Sequence, residues 1–146
     1  MLPVFGPPPR PAQRWRHRPG AYAVLIRNGR VLVTEQDDGT TVEIQLPGGG
    51  IDPGESPLPA LAREVLEETG HSCRILRHLG SFRRFTFMPD YGFHAEKLCH
   101  VFLGRPGLRL GPPREAGHRG LWLTPQAALA RLANAGDAAM LARAIR

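Results

Sequence analysis

Residues 46–71 read LPGGGIDPGESPLPALAREVLEETGH, a glycine-rich loop followed by a segment with helical periodicity. Ser56 is a suitable N-cap residue, and Pro57 suits the first position of a helix. Gly70 supplies a stop signal at the other end. Between these signals, apolar residues recur at helical spacing, namely Leu58, Leu61, Ala62, Val65 and Leu66. The stretch therefore predicts a loop that leads into one amphipathic helix of about four turns.

Three glutamates share the other face of this predicted helix. At about 100° per residue, Glu64, Glu67 and Glu68 fall on one side of the helix axis, away from the apolar cluster. Like charges at this spacing repel each other and destabilise a helix, and Arg63 offsets only part of that repulsion. A solvated helix surface is one explanation of such a face. A bound cation is the other, because Mg²⁺ and Mn²⁺ prefer oxygen ligands.

The loop before the helix gives close access to this face. Gly48, Gly49 and Gly50 permit backbone conformations and close approaches that other residues do not. A glycine run alone is a weak signal, and so is an acidic helix face. Together they predict that backbone carbonyls of the loop and carboxylates of the helix meet at one ligand.

The combined pattern resembles the signature of the Nudix hydrolase family. It runs from Gly49 through Glu55 to REVLEETGH at residues 63–71, and eight of its nine specified positions match. The departure is His71, where the family pattern has an aliphatic residue, which puts local packing in doubt more than chemistry. The signature covers 23 of 146 residues, and the order of elements around it also resembles a whole Nudix domain.

The resemblance implies a metal site on the helix and its loop. Glu64, Glu67 and Glu68 would bind Mg²⁺ or Mn²⁺, with the carbonyl of Gly49 as a further ligand. The implied catalytic set is Glu64, Glu67 and Arg63, and Arg63 would also brace the loop against the helix. The residues with an implied structural role in the loop and helix are Gly48, Gly50, Glu55 and Gly70.

The general base is a separate question, because Nudix enzymes differ in which glutamate takes the proton. Glu64 is the first choice. Glu115 is the second, and also an expected metal ligand, because the corresponding loop of Nudix proteins often brings an extra glutamate to the metals. A surface salt bridge is the alternative role for Glu115. Glu96 is the third choice of base.

The segments around the signature predict the rest of the fold. Two β-branched-rich segments, 21–26 and 30–36, are joined by Asn28-Gly29, a turn signal typical of a hairpin. Further strands are expected at 41–46, 73–87, 94–103 and 121–123, and an irregular loop at 104–120. Thr124 caps another predicted helix, and a last helix begins at Asp137. This order predicts an α+β fold, an α/β/α sandwich with helices flanking a central mixed β-sheet.

Length and composition predict one domain behind an N-terminal arm. The 146 residues, 42% of them hydrophobic, suffice for one core. Residues 1–18 are rich in proline and arginine and predict an extended arm, with residues 19–146 as the Nudix domain. Val4 and Phe5 are candidates to dock on that domain, and nucleic-acid binding by the arm is the alternative.

Charge and cysteine content indicate which ligands and which cellular location to expect. The net charge of +6 favours anionic ligands, although an arginine-rich composition also arises from genome bias. Cys73 and Cys99 lack metal-ligand spacing, and the chain has no long apolar run that could act as a signal or membrane segment. We therefore expect a cytoplasmic protein with no membrane partner.

Substrate-binding residues are expected on the strands after the helix. Arg83 and Phe85 lie in a basic-aromatic run that can clamp phosphate and stack a base, and Lys97 is a candidate phosphate contact. The alternatives are core aromatics in cross-strand pairs and a solvated lysine. No secondary signature of a Nudix subfamily is evident, so the physiological substrate and the phosphorus attacked stay open.

These observations predict a Mg²⁺- or Mn²⁺-dependent nucleotide pyrophosphohydrolase. It would hydrolyse a phosphoanhydride bond in a nucleoside diphosphate linked to another moiety, with a nucleotide or nucleotide-sugar as the substrate class. The alternative is a noncatalytic nucleotide- or RNA-binding module of the same fold, which has no need for three repelling glutamates. Nucleic acid is a disfavoured partner, and a homodimer is an open option.

Overall fold

The structure is a computed structural model that describes residues 2–146. Within that range the strands are β1 (Arg16–Arg27), β2 (Arg30–Asp37), β3 (Val42–Gln45), β4 (Gly48–Gly50), β5 (His71–Met88), β6 (Phe93–Arg109) and β7 (His118–Leu123). The helices are α1 (Pro57–Thr69), α2 (Pro125–Arg131) and α3 (Ala135–Ala144). Each helix formed by residues 2–146 is too short or too polar to span a bilayer.

All strands belong to one mixed sheet in the order β3-β2-β1-β6-β5, with β4 added to β1 and β7 added to β2. The β1–β6 pair is parallel and the others are antiparallel. The predicted β1–β2 hairpin is confirmed, and both of its turn residues have positive φ, 52° at Asn28 and 73° at Gly29. Those angles suit the tight turn that Asn-Gly favours.

Helices cover both faces of the sheet. Alternation along β1 sends Ala23 and Leu25 to one face, where they pack with Leu61 and Val65 of α1. The opposite face, which includes Val24, packs against α2 and α3 through Ala128, Met140 and Leu141. The predicted α/β/α sandwich with a central mixed sheet is therefore confirmed.

Helix α1 begins and ends where the sequence predicts. Pro57 occupies its first turn, and Gly70, with φ of 76°, ends it while its N–H donates to the Leu66 carbonyl at 2.9 Å. Two details differ from the prediction. Ser56 stands at the N-cap position without a side-chain capping hydrogen bond. Leu58, predicted to lie in the apolar cluster, is 45% exposed, whereas Leu61 and Val65 of that cluster are fully buried.

The predicted loop at 104–120 is much shorter in the structure. Strand β6 continues to Arg109 and β7 starts at His118, so the connection spans residues 110–117. Pro106 is tolerated in β6 because the pairing with β1 ends at Gly104 and only β5 lies beside it there. The proline and glycine content suggested irregular structure, but pairing with β5 outweighs it.

Two further element boundaries differ from the sequence predictions. Gly48–Gly50, expected to be loop, forms a short strand on β1, and its glycines let the two backbones approach closely. Helix α3 starts at Ala135 instead of Asp137, because Asn134 caps it by accepting from the Asp137 N–H at 2.8 Å.

His71 is buried, although the family pattern has an aliphatic residue there. Only 5% of it is exposed, its Nδ1 lies 3.1 Å from the Gly107 carbonyl oxygen, and its ring packs edge-to-face on Trp122. The polar ring therefore has a hydrogen-bond partner and an aromatic neighbour, so packing at this position is maintained.

The N-terminal segment lies against the domain. The Phe5 N–H donates to the Arg83 carbonyl at 3.0 Å, and the Arg83 N–H donates to Pro3 at 2.9 Å. The Phe5 ring packs edge-to-face on Phe82 of the core. Strand β1 begins at Arg16, so the sheet includes the last residues of the segment expected to form the arm.

A split in the sheet creates the cleft that holds the candidate site. Strands β1 and β2 pair only beside their turn, over Leu25–Arg27 and Arg30–Leu32. Beyond that point β1 pairs with β4, while β2 pairs with β3 and β7. The two halves of the sheet diverge, and the glycine-rich β4 and the acidic face of α1 lie at the opening.

Asp137 gives the fold a specific pH dependence. The side chain is 4% exposed, accepts from the Leu46 N–H at 3.1 Å, and has a pKa raised by burial from 3.8 to about 6. Folding therefore favours its protonated form, so its stabilising contribution is complete below pH 3.8 and is lost as the pH rises through about 6. At about 1.4 kcal/mol per pKa unit, the loss amounts to about 3 kcal/mol.

The variant Asp137→Asn should not show this loss. We expect the free energy of unfolding of the variant, minus that of the wild type, to increase by about 2.5 kcal/mol between pH 4 and pH 7.5, because the unfolded wild type is already partly ionised at Asp137 at pH 4. Urea denaturation across that range measures both free energies of unfolding. The contributions of the other titrating groups are common to the two proteins and cancel in the difference. A difference that stays constant with pH would contradict the assigned role of Asp137.

Candidate active site

Carboxylates from α1 and from the loop before β7 converge at the split in the sheet. Glu64, Glu67 and Glu115 each bring a carboxylate oxygen within 4.8 Å of the others. Glu68, Glu115 and His118 form a second group within the same limit. Glu115 belongs to both groups, so the helix face and the loop form one acidic cluster.

Backbone hydrogen bonds hold Glu115 in this position. The N–H groups of Arg114 and Glu115 donate to the Glu67 carbonyl at 2.8 and 3.1 Å, and the Leu110 N–H donates to Gly70 at 2.7 Å. Carbonyls at the end of a helix have no intrahelical partner, and the loop satisfies two of them here. The end of α1 therefore sets the position of the loop that carries the fourth glutamate.

The glycines of β4 bring the backbone against the glutamates. A Cβ atom on Gly49 would lie 2.7 Å from Cδ of Glu64, so no larger residue fits without moving that carboxylate. The Gly48 N–H donates to Oε1 of Glu68 at 2.9 Å. The predicted close approach of loop and helix is therefore present in the structure.

Arg63 connects the loop to the acidic face. Its guanidinium donates to Glu55 at 3.1 Å, to Glu64 at 3.0 Å and to Glu67 at 3.4 Å. Glu55 also accepts from the Asp52 N–H at 3.1 Å, and this bond, with the Arg63 ion pair, lowers the pKa of Glu55. These contacts join Glu55 of the loop to Arg63 of the helix, the two residues for which a bracing role is predicted.

Two of the glutamates lie in an environment that disfavours their charge. Glu68 is 3% exposed, and burial, with the carboxylates around it, raises its pKa well above the ordinary value. Burial also raises the pKa of Glu64, while Arg63 opposes that shift. A cation bound among these oxygens would favour the ionised forms. The donor set, dominated by carboxylates beside a close-packed glycine backbone, fits a hard divalent ion.

His118 is a site residue that the sequence analysis did not identify. Its Nε2 lies 3.6 Å from Oε2 of Glu68, and its Nδ1 lies 3.1 Å from the Ala116 carbonyl. Donation from Nδ1–H to that carbonyl leaves Nε2 as the ring atom facing the cluster. The signal in the sequence was a histidine three positions after Glu115, in a segment interpreted only as loop.

A cavity of about 250 Å³ opens beside the carboxylates and has a basic side. Lys97 and Arg18 line it together with Glu64, Glu68 and Tyr22. Nζ of Lys97 lies 5.7 Å from the centre of the Tyr22 ring, and none of the acidic groups in residues 2–146 lies within 4.0 Å of it. A cavity with carboxylates on one wall and a cation on another suits a metal-bound polyphosphate.

Three other residues expected at the site have different partners. Arg83 forms an ion pair with Glu96, which also contacts His17, so these groups compensate one another's charge away from the carboxylate cavity. Phe85 is 8% exposed and packs edge-to-face on Trp15. The structure therefore does not bring Arg83, Phe85 or Glu96, which were predicted as substrate contacts and a candidate base, to the lining of the carboxylate cavity.

The comparisons with known proteins agree with this architecture. The NUDIX domain model matches residues 16–144, so the chain belongs to the NUDIX domain family. A NUDIX hydrolase structure from Nitrosomonas europaea superposes with a TM-score of 0.72 at 26% identity and covers 89% of each chain. The match therefore extends over nearly the whole fold, beyond the signature alone.

Two named relatives match shorter stretches. A Bacillus subtilis protein, provisionally named an 8-oxo-dGTP diphosphatase, is 31% identical over 86 residues, which are 58% of this chain and 51% of the relative. An RNA pyrophosphohydrolase from Brucella anthropi is 52% identical over 50 residues, 33% of this chain and 29% of the relative. The matched stretches thus span about half or less of these relatives.

Proposed function

We propose that this chain is a divalent-metal-dependent nucleotide pyrophosphohydrolase. Its reaction is hydrolysis of a phosphoanhydride bond in a nucleoside diphosphate linked to another moiety. The observation that carries the proposal is the convergence of Glu64, Glu67, Glu68 and Glu115 beside a cavity with Lys97 on its wall. Membership of the NUDIX domain family supports the same reaction class.

The proposed ligands of Mg²⁺ or Mn²⁺ are the four glutamates, with the carbonyl of Gly49 as a further one. Oxygen ligands suit both ions, and the glycine backbone of β4 lies against Glu64 and Glu68. When bound, such ions neutralise a diphosphate and lower the pKa of a coordinated water. Arg63 forms ion pairs with Glu64 and Glu67 and thereby holds their carboxylates in position.

In the proposed reaction, Glu64 is the general base. Water attacks one phosphorus, its proton passes to the Glu64 carboxylate, and the bridging P–O bond breaks with its electron pair on the departing phosphate. Glu64 lines the carboxylate cavity beside the Gly49 backbone, which is the place that a general base for a water attacking the phosphates must occupy. Lys97 and Arg18 would compensate the negative charge of the phosphates.

The names of the relatives support a nucleotide substrate. One name specifies an oxidised nucleoside triphosphate and the other specifies RNA, and both describe cleavage of a phosphate chain on a nucleotide. For this chain we propose a nucleotide-type small molecule, without nucleic acid as the preferred partner. We also propose a cytoplasmic setting, which suits the free thiols of Cys73 and Cys99.

A substrate panel tests the proposed function. The purified chain is incubated with nucleoside triphosphates, nucleotide sugars, dinucleoside polyphosphates and 5′-triphosphorylated RNA, with Mg²⁺ or Mn²⁺, and the products are identified by mass spectrometry. We expect two phosphate-ended products from at least one compound, turnover abolished by chelation, and turnover restored by added metal. Absence of metal-dependent cleavage across the panel would refute the proposal.

A further inference from the structure

A second cavity, of about 420 Å³, adjoins the carboxylate cavity at the split in the sheet. The two cavities form one continuous groove, because they share six lining residues, namely Gln36, Gln45, Met88, Asp90, Tyr91 and Lys97. The second cavity has no part in the reaction proposed above. Its position suits the portion of a substrate that extends beyond the phosphates.

A fixed chain of hydrogen bonds lines one wall of this second cavity. The Gln36 amide donates to Oε1 of Gln45 at 3.0 Å, and the Gln45 amide donates to Oε2 of Glu43 at 2.8 Å. Because a carboxylate only accepts, the Gln45 group facing Glu43 is the NH₂, and its oxygen must face the NH₂ of Gln36. The orientations of both amides are thereby determined. Within this chain of side chains, Gln36 keeps its Oε1 as a free acceptor, and Glu43 keeps Oε1 and the second lone pair of Oε2.

The remaining lining residues include two acidic ones, Asp38 and Asp90, as well as cationic and aromatic groups. Arg84 and Lys97 line the cavity, and neither has an acidic partner within 4.0 Å among residues 2–146. Phe87 and Tyr91 also line it and are 49% and 59% exposed. Exposed aromatic rings beside hydrogen-bonding groups are suited to stacking and reading a nucleobase.

We propose that the second cavity binds guanine, with Glu43 as the residue that specifies the base. Guanine carries two adjacent N–H donors, N1–H and the 2-amino group, which match the two oxygens of a carboxylate, and its O6 and N7 acceptors match an arginine. Adenine, cytosine and uracil lack that pair of adjacent donors. Arg84 supplies the cation for O6 and N7. The inference rests on the proposed function for the location of the phosphates at the glutamates.

Binding of nucleoside monophosphates tests the inference without requiring hydrolysis. GMP and IMP differ only in the 2-amino group, so their affinities isolate the contact assigned to Glu43. With the intact chain and Mg²⁺ in a calorimeter, we expect GMP to bind about tenfold more tightly than IMP, and AMP more weakly than GMP. Equal affinities of GMP and IMP, or no binding of GMP, would overturn the proposal.

A matched pair of variants tests whether Glu43 causes the preference for GMP over IMP. Glu43→Gln replaces one acceptor oxygen with a donor, so we expect the GMP-to-IMP affinity ratio to fall from about ten to about one. Glu35→Gln is the control, because Glu35 lies on the adjacent strand and pairs with Arg119. It should keep the wild-type ratio. A preference for GMP that survives in Glu43→Gln would refute the assignment.

The two proposals fail separately in these experiments. A GMP preference in binding without turnover in the substrate panel would leave the guanine site intact and contradict the hydrolase. Turnover of several nucleotides without any dependence on the 2-amino group would leave the hydrolase intact and contradict the guanine site.

Discussion

Replacement of Glu64 with glutamine is expected to lower kcat by about 10²- to 10⁴-fold, the range that removal of a general base produces. The two side chains have nearly the same size, so the bond from Arg63 and the position beside Gly49 can be kept. The variant loses the proton acceptor and one negative charge from the cluster. Its thermal midpoint should therefore remain at or above that of the wild type, because burial disfavours the charge of Glu64 by more than Arg63 favours it.

Steady-state kinetics on a substrate found in the panel measures this effect. Glu35→Gln is again the matched control, since it makes the same chemical change at a carboxylate paired with Arg119. That variant should keep kcat within about twofold of the wild type, as expected for a surface substitution. If Glu64→Gln retained more than a tenth of wild-type kcat, Glu64 could not be the base, and Glu115 would become the leading candidate.

The second large loss of activity is expected from the substitution Gly49→Ala. The backbone of Gly49 does not need positive φ, so alanine is compatible with its conformation. The added Cβ, however, would lie 2.7 Å from Cδ of Glu64 and must displace that carboxylate. A catalytic group misplaced by about 1 Å can cost about 10²-fold in rate, so we expect kcat/KM to fall by about 10- to 100-fold.

Gly111→Ala is the control for this substitution. Gly111 also lacks positive φ, and a Cβ added to it meets no atom within 4 Å. The same change in composition should therefore leave kcat/KM close to the wild-type value. Equal activities of Gly49→Ala and Gly111→Ala would show that the approach of β4 to Glu64 has no influence on the reaction.

The elements predicted most accurately are those with strong local signals. Asn28-Gly29 predicts the hairpin because both residues tolerate the positive φ that the turn requires. Pro57 and Gly70 mark the ends of α1 because one suits its first turn and the other its left-handed cap. Local backbone preferences decide such features, so the sequence is sufficient to predict them.

Features that depend on distant partners were not predicted. Gly48–Gly50 becomes a strand because β1 lies beside it, and β6 continues past Gly104 because β5 is long enough to pair with it. Likewise, His118 reaches Glu68 through the tertiary position of a loop. Composition and periodicity contain no information about these neighbours.

Arg84 and Thr86 of β5 line the groove, and each is one position away from a residue predicted to contact the substrate. Successive side chains on a strand point to opposite faces, so Arg83 and Phe85 cannot share a direction with Arg84 and Thr86. The structure turns Arg84 and Thr86 to the groove, and it packs Phe85 against Trp15. The sequence pattern of this run therefore did not determine which of its side chains face the groove.

The most direct test of the account is a titration of the chain with Mn²⁺, followed by electron paramagnetic resonance of the free ion. The proposal predicts saturable binding by the wild type and at least about tenfold weaker binding by Glu67→Gln, since substitution of residues that merely support metal ligands already costs about 10- to 100-fold. Glu35→Gln should bind as the wild type does. Absence of binding, or equal affinity in the wild type and Glu67→Gln, would contradict the assignment of the carboxylate cluster as a metal centre.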